Sequence, residues 1–138
     1  LPGMIAQGGG SVVLTTAYSS RAPKPYLSGY AAFKAALNNL TKTLAKDYGP
    51  RGIRVNAVAP GAIRTGRYDE RLAALRVDNP DISLVEAEAR MLAAMGMTVA
   101  LDRIGEPGEV ADLIAFLLSE RAAYATGLIA NVDGGTDF

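Results

Sequence analysis

The chain has 138 residues, 49% of them hydrophobic, with 14 basic and 14 acidic side chains, a balance that suits one soluble, compact domain. Zero formal net charge argues against nucleic acid or an anionic membrane as the main partner. With no Cys and no His, disulfides, thiol nucleophiles, Cys/His zinc sites and His-based triads are excluded by inventory, so no metal site is expected and acid–base work falls to Tyr, Lys, Asp or Glu.

No run of about 18 apolar residues is present to span a bilayer, and the first residues lack the basic and apolar regions of a signal peptide; a cytoplasmic location is the expectation. Residues 1–7 read as a frayed helix end, and Gly8-Gly9-Gly10 breaks it. The apolar, β-branched run from Ser11 to Thr16 has no polar alternation, which predicts a strand buried on both faces of a parallel sheet. A polar loop from Ala17 to Ser28 follows, kept irregular by Pro23 and Pro25.

A long helix is predicted from Ser28 to Tyr48, closed by Gly49-Pro50. Its alanine-rich apolar band is wider than one sheet face requires, which suggests a helix-to-helix contact between copies. Tyr30 and Lys34 stand four residues apart near its start, so phenol and ammonium share one face a turn apart and the cation can stabilise a tyrosinate. That pairing makes Tyr30 a candidate proton donor.

A second buried strand, Ile53 to Ala59, ends at Pro60-Gly61. A strand, a helix and a strand in this order make a parallel crossover, and ligands bind beyond the carboxyl ends of such strands, here 15–17 and 60–65. From Gly66 to Asp102 an insertion is expected: a loop over 66–68, a short charged helix from Asp69 to Val77 broken at Asn79-Pro80, and a helix from Ser83 opened by a Ser83/Glu86 capping box. Met91, Met95 and Met97 either close over a small apolar substrate or pack the insertion onto the body. A helix starting at Pro107 should turn Val110, Ala111, Ile114, Ala115, Leu117 and Leu118 inwards, and a third buried parallel strand runs from Leu128 to Asp133.

The order YAAFK, VNAVAPGAIRT, RIGEPGEVADLIAFLLSE and TGLIANVDGG resembles the C-terminal half of a classical short-chain dehydrogenase/reductase, over nearly the whole chain. The resemblance implies an α/β fold, the C-terminal part of a Rossmann-like doubly wound parallel sheet, with residues 1–138 forming half of a single domain and the N-terminal cofactor-binding half absent from this chain. It implies that Tyr30 passes the proton to or from the substrate oxygen and that Lys34 tunes Tyr30 and bonds the nicotinamide ribose. By the same resemblance Pro60, Gly61, Ile63 and Thr65 hold the nicotinamide end of NAD or NADP, Ile63 by its backbone and Thr65 by its hydroxyl, while Asn56 supports the turn. The implied reaction is hydride transfer between nicotinamide and a small carbonyl or alcohol substrate, in a homodimer or homotetramer.

Two departures from the family pattern stand out. Ala17 occupies the place of the carbonyl-polarising serine, leaving Thr16, Ser19 or Ser20 as substitutes, Thr16 foremost. The glycine-rich pyrophosphate turn would lie upstream of Leu1, and Gly8-Gly9-Gly10 does not replace it because it precedes its strand. A non-catalytic packing or oligomerisation module is the alternative reading. Lys34 argues against the halohydrin dehalogenase branch, which carries Arg there, and the short Tyr30–Lys34 gap against enoyl reductases.

Overall fold

The computed structural model describes residues 1–136. Three parallel strands, β1 (Gly10–Thr15), β2 (Ile53–Pro60) and β3 (Ile129–Val132), form one sheet in the order β1-β2-β3. Register runs from Gly10 against Ile53 to Thr15 against Val58, and from Ala57 against Ile129 to Pro60 against Val132. All three carboxyl ends therefore lie along one edge.

Alternation along β2 sends its side chains to two helical layers. Ile53 and Val55 pack with Val12, Leu44, Ala45 and Tyr48 beneath α2 (Ser28–Tyr48), whereas Val58 packs with Val13, Val110, Ile114 and Leu117 beneath α5 (Pro107–Leu118). Only β2 is buried along its length. β1 and β3 are half-buried, because each is an edge of this sheet among the described residues; the expectation of three fully buried strands holds for the central one alone. The short α1 (Pro2–Ala6) seats Met4 against the α2 side of the core.

Helix α2 has the expected bounds, but its chain reversal is finished by Gly52, which follows a turn of 3-10 helix with φ 74°. On α5, Val110, Leu113, Ile114 and Leu117 face the sheet, while Ala111, Ala115 and Leu118 are exposed. The inward face is thus narrower than the apolar content of the helix.

The insertion departs further from its sequence reading. Helix α3 (Gly66–Asp78) begins at Gly66, so the expected loop at 66–68 is its first turn, held there because the Tyr68 ring is buried. Helix α4 (Leu84–Ala94) is capped as expected, Glu86 N donating to Ser83 Oγ at 3.2 Å. Met91 and Met97 are buried with Tyr68, Leu92, Val99 and Ile104, and Met95 packs against this cluster. The methionines hold the insertion together and present no open apolar face.

Candidate active site

The first exit point of the sheet is β1, and α2 is fastened to it by polar bonds. Lys34 Nζ donates to the Thr15 carbonyl at 2.7 Å and lies 5.5 Å from the Tyr30 ring centroid. Two ammonium protons remain beyond that bond. Tyr30 is 50% exposed, and its hydroxyl has no hydrogen-bond partner among the described residues. Among the described residues the cation is thus anchored and the phenol open.

The second exit point is β2. Gly61 is required there because a Cβ would come within 2.6 Å of Asp133 Cβ, so its role is the close approach of two strand ends. Beyond it, Arg64 N donates to Gly105 O at 2.8 Å and Gly105 N to Ala62 O at 2.9 Å, a parallel bridge centred on Ile63. A bridge of this kind turns the N–H and C=O of its central residue the other way. Among the described residues Ile63 consequently offers one free main-chain donor and one free acceptor, the pair a primary carboxamide needs. Thr65 is the N-cap residue of α3, yet its side chain makes no capping bond and is exposed, leaving its hydroxyl uncommitted. These residues fit the nicotinamide end of a dinucleotide.

Beside β1, the candidate hydroxyls are not equivalent. Thr16 is buried and its Oγ1 donates to Val58 O at 3.3 Å, so it braces the sheet. Ser20 Oγ donates to Ala17 O at 2.6 Å and accepts from Asn38 Nδ2 at 2.8 Å. Ser19 is buried and its Oγ has no partner among the described residues. Ala17 itself is buried. Asn56 supports a turn, the one entering β3: its Nδ2 donates to Ala125 O at 2.8 Å and its Oδ1 accepts from Leu128 N at 3.0 Å.

A second polar group escaped the sequence reading. The Glu88 carboxylate, from the middle of α4, accepts from Tyr68 Oη at 2.7 Å, Arg64 Nη2 at 3.0 Å and Ile104 N at 3.4 Å. Arg64 stacks over the Tyr68 ring at 4.4 Å, and its Nε lies 3.0 Å from Glu106 Oε1, near enough for ion pairing though not aligned for a hydrogen bond. Burial, then the bond to Glu88, pushes the Tyr68 phenol up to about 12. Nearby, Arg103 donates to both Glu109 oxygens, at 2.8 and 2.5 Å, which holds the Glu109 carboxyl at about 2. One signal for Glu88 was legible: it shares the buried stripe of Ala87, Met91 and Leu92 on α4, where a carboxylate requires a partner. Arg64 gave none.

A cavity of about 430 Å³ lies by the β3 end, lined by Ile63, Arg103, Asn131 and Asp133 among others, but neither Tyr30 nor Lys34 reaches it. The candidate reacting groups lie instead on an open edge.

The family model described as enoyl-(acyl carrier protein) reductase matches residues 1–137, and the chain belongs to the short-chain dehydrogenase/reductase family. The chain is 42% identical to a probable short-chain type dehydrogenase/reductase of Bradyrhizobium diazoefficiens, over 98% of this chain and 43% of that protein. It thus spans less than half the length of that curated relative. The structure of L-sorbose reductase from Gluconobacter frateurii, complexed with NADPH and L-sorbose, superposes with a TM-score of 0.83 at 34% identity, over 97% of this chain and 49% of that one. A short-chain oxidoreductase from Pseudomonas aeruginosa, described as containing an atypical catalytic center, superposes with a TM-score of 0.82 at 28% identity, over 91% of this chain and 46% of that one.

Proposed function

We propose that this chain is the catalytic and substrate-binding half of a single Rossmann-like domain, and that the whole protein is an NAD(P)-dependent alcohol dehydrogenase or carbonyl reductase. The observation that carries this reading is the grouping, at one sheet edge, of polar groups that are uncommitted among the described residues: the Tyr30 phenol, the Lys34 protons, the Ile63 main chain and the Thr65 hydroxyl. Bound NAD(P)H would supply the hydride. Ile63 would take the carboxamide through its free N–H and C=O, with Thr65 beside it. Tyr30 would give its proton to the substrate oxygen as negative charge develops there, and Lys34 would favour the phenolate that remains. In oxidation the same groups act in reverse.

Support for this reading also comes from relatives of known chemistry, the NADPH-bound sorbose reductase among them. The oxidoreductase described as containing an atypical catalytic center is a precedent for a departure from the family pattern on this fold. Tyr30→Phe in the full-length protein keeps the ring and removes the proton; steady-state reduction of a small ketone should fall by about a hundredfold to ten-thousandfold. Activity within a few-fold of the parent would sink the assignment.

An apolar stripe on α2, formed by Ala32, Phe33, Ala36 and Leu40, is exposed, with Phe33 at 63%. We infer that it packs on the same stripe of a second copy, giving a dimer or tetramer. Phe33→Asp should shift sedimentation towards the monomer; an unchanged profile counts against this contact.

A further inference from the structure

We propose that Glu88 is a positioning residue that ties the insertion to the turn at 62–65, so that the hold of α3 and α4 on the body and the affinity of that turn for dinucleotide depend on one carboxylate. The inference rests on the functional reading above. The chain leaves the body at Thr65 and re-enters it at Ile104 and Gly105, where the bridge centred on Ile63 ties the two ends together. Glu88 comes back to that junction from the middle of the insertion. One carboxylate thereby joins three parts: the exit through Arg64, the first turn of α3 through Tyr68, and the re-entry through Ile104 N.

Packing alone does not call for this arrangement. The cluster of Tyr68, Met91, Leu92, Met97, Val99 and Ile104 already holds α3 on α4, and an apolar residue at position 88 would fill the same stripe without a buried charge. What the carboxylate adds is direction. It fixes Arg64 from one side while Glu106 fixes it from the other, and Arg64 lies between the two residues assigned to the nicotinamide, Ile63 and Thr65. A displacement of that turn is therefore felt at α4, and by linkage a displacement of α4 is felt by whatever occupies the turn.

The test uses the full-length protein and limited trypsin digestion at the exposed Arg67, Arg71 and Arg76 of α3, with and without saturating NADPH and, in parallel, NADH. In the parent, dinucleotide should slow cleavage roughly fivefold or more. In Glu88→Gln, cleavage should be faster without dinucleotide and nearly unchanged by it, and the Kd of the dinucleotide, read from nicotinamide fluorescence, should rise by a similar factor. Glu86→Gln, on the same helix but exposed and paired with Arg90, should behave as the parent. Should Glu88→Gln not fold, Tyr68→Phe removes one of the three attachments and should show a partial loss of protection. Equal protection in parent and variant overturns the coupling, even with a lowered unfolding temperature, because a merely structural residue would change stability and leave protection intact. If neither dinucleotide binds the parent, the functional reading fails and the coupling with it; binding without differential protection overturns the coupling alone.

Discussion

Two clusters of polar side chains lie near the carboxyl edge of the sheet, and they differ in how far their hydrogen bonds are satisfied. At the first, the Tyr30 phenol, the Thr65 hydroxyl and the Ile63 main chain have no partner among the described residues. At the second, the Glu88 carboxylate takes three donors and Tyr68 gives its proton to it. A buried polar group is expected to find a partner within the protein, as Glu88 does, whereas an exposed one is satisfied by water and stays available to a ligand. The comparison also separates two tyrosines of one chain: Tyr30 is half-exposed and available, Tyr68 is buried and spent.

The largest test of this contrast is at Ala17, where the family resemblance implies a hydroxyl donor and this chain carries a methyl group. Ala17→Ser should raise the rate of the full-length protein by about tenfold to a thousandfold, a gain bounded by the loss that deleting such a donor causes elsewhere. Because Ala17 is buried, the added hydroxyl should cost about 1 kcal/mol of stability, measured by urea unfolding. Ser19 is the uncommitted hydroxyl nearby; a loss of rate in Ser19→Ala with no gain in Ala17→Ser would show that Ser19 already fills the role.

The saturated cluster predicts a smaller, pH-dependent effect. The Tyr68 phenol is raised in the fold to about 12 from an ordinary value of 10.0, so the neutral form is favoured by folding. Its contribution is fully present below about pH 10 and is lost as pH rises from there towards 12. Tyr68→Phe should flatten the alkaline fall of the unfolding midpoint, and an unchanged slope would break the assignment. The smallest effect belongs to Glu109. Its carboxyl is lowered from 4.5 to about 2, so the Arg103 pair contributes above pH 4.5 and fades as pH falls towards 2. Both side chains are 43–45% exposed, so Glu109→Gln should change the acid slope only slightly and salt should weaken it further.

Much of the fold is legible in local pattern. The apolar runs of β1, β2 and β3, the period of α2 and its end at Tyr48, and the Ser83 cap of α4 all depend on residues close in sequence, and each is found where pattern puts it. The Tyr30–Lys34 pair is legible for the same reason, since four residues on a helix are one turn. Elsewhere, partners far along the chain decide. Helix α3 starts at Gly66 because Tyr68 has a buried place beside Glu88, twenty positions on, and Ala111, Ala115 and Leu118 face outwards because the sheet offers α5 only a narrow contact. Burial also sorts the hydroxyls near Ala17: the family resemblance puts Thr16 foremost, but the parallel pairing of β1 with β2 carries its Oγ1 to Val58 O, and Ser19 is the one left uncommitted among the described residues. The sequence by itself determined the three strands, the bounds of α2 and the Tyr30–Lys34 spacing, because these follow from short-range periodicity. Which charges meet and which polar groups stay open was decided by the tertiary structure, because Arg64, Glu88 and Ile104 become neighbours only once the insertion folds back on the sheet edge.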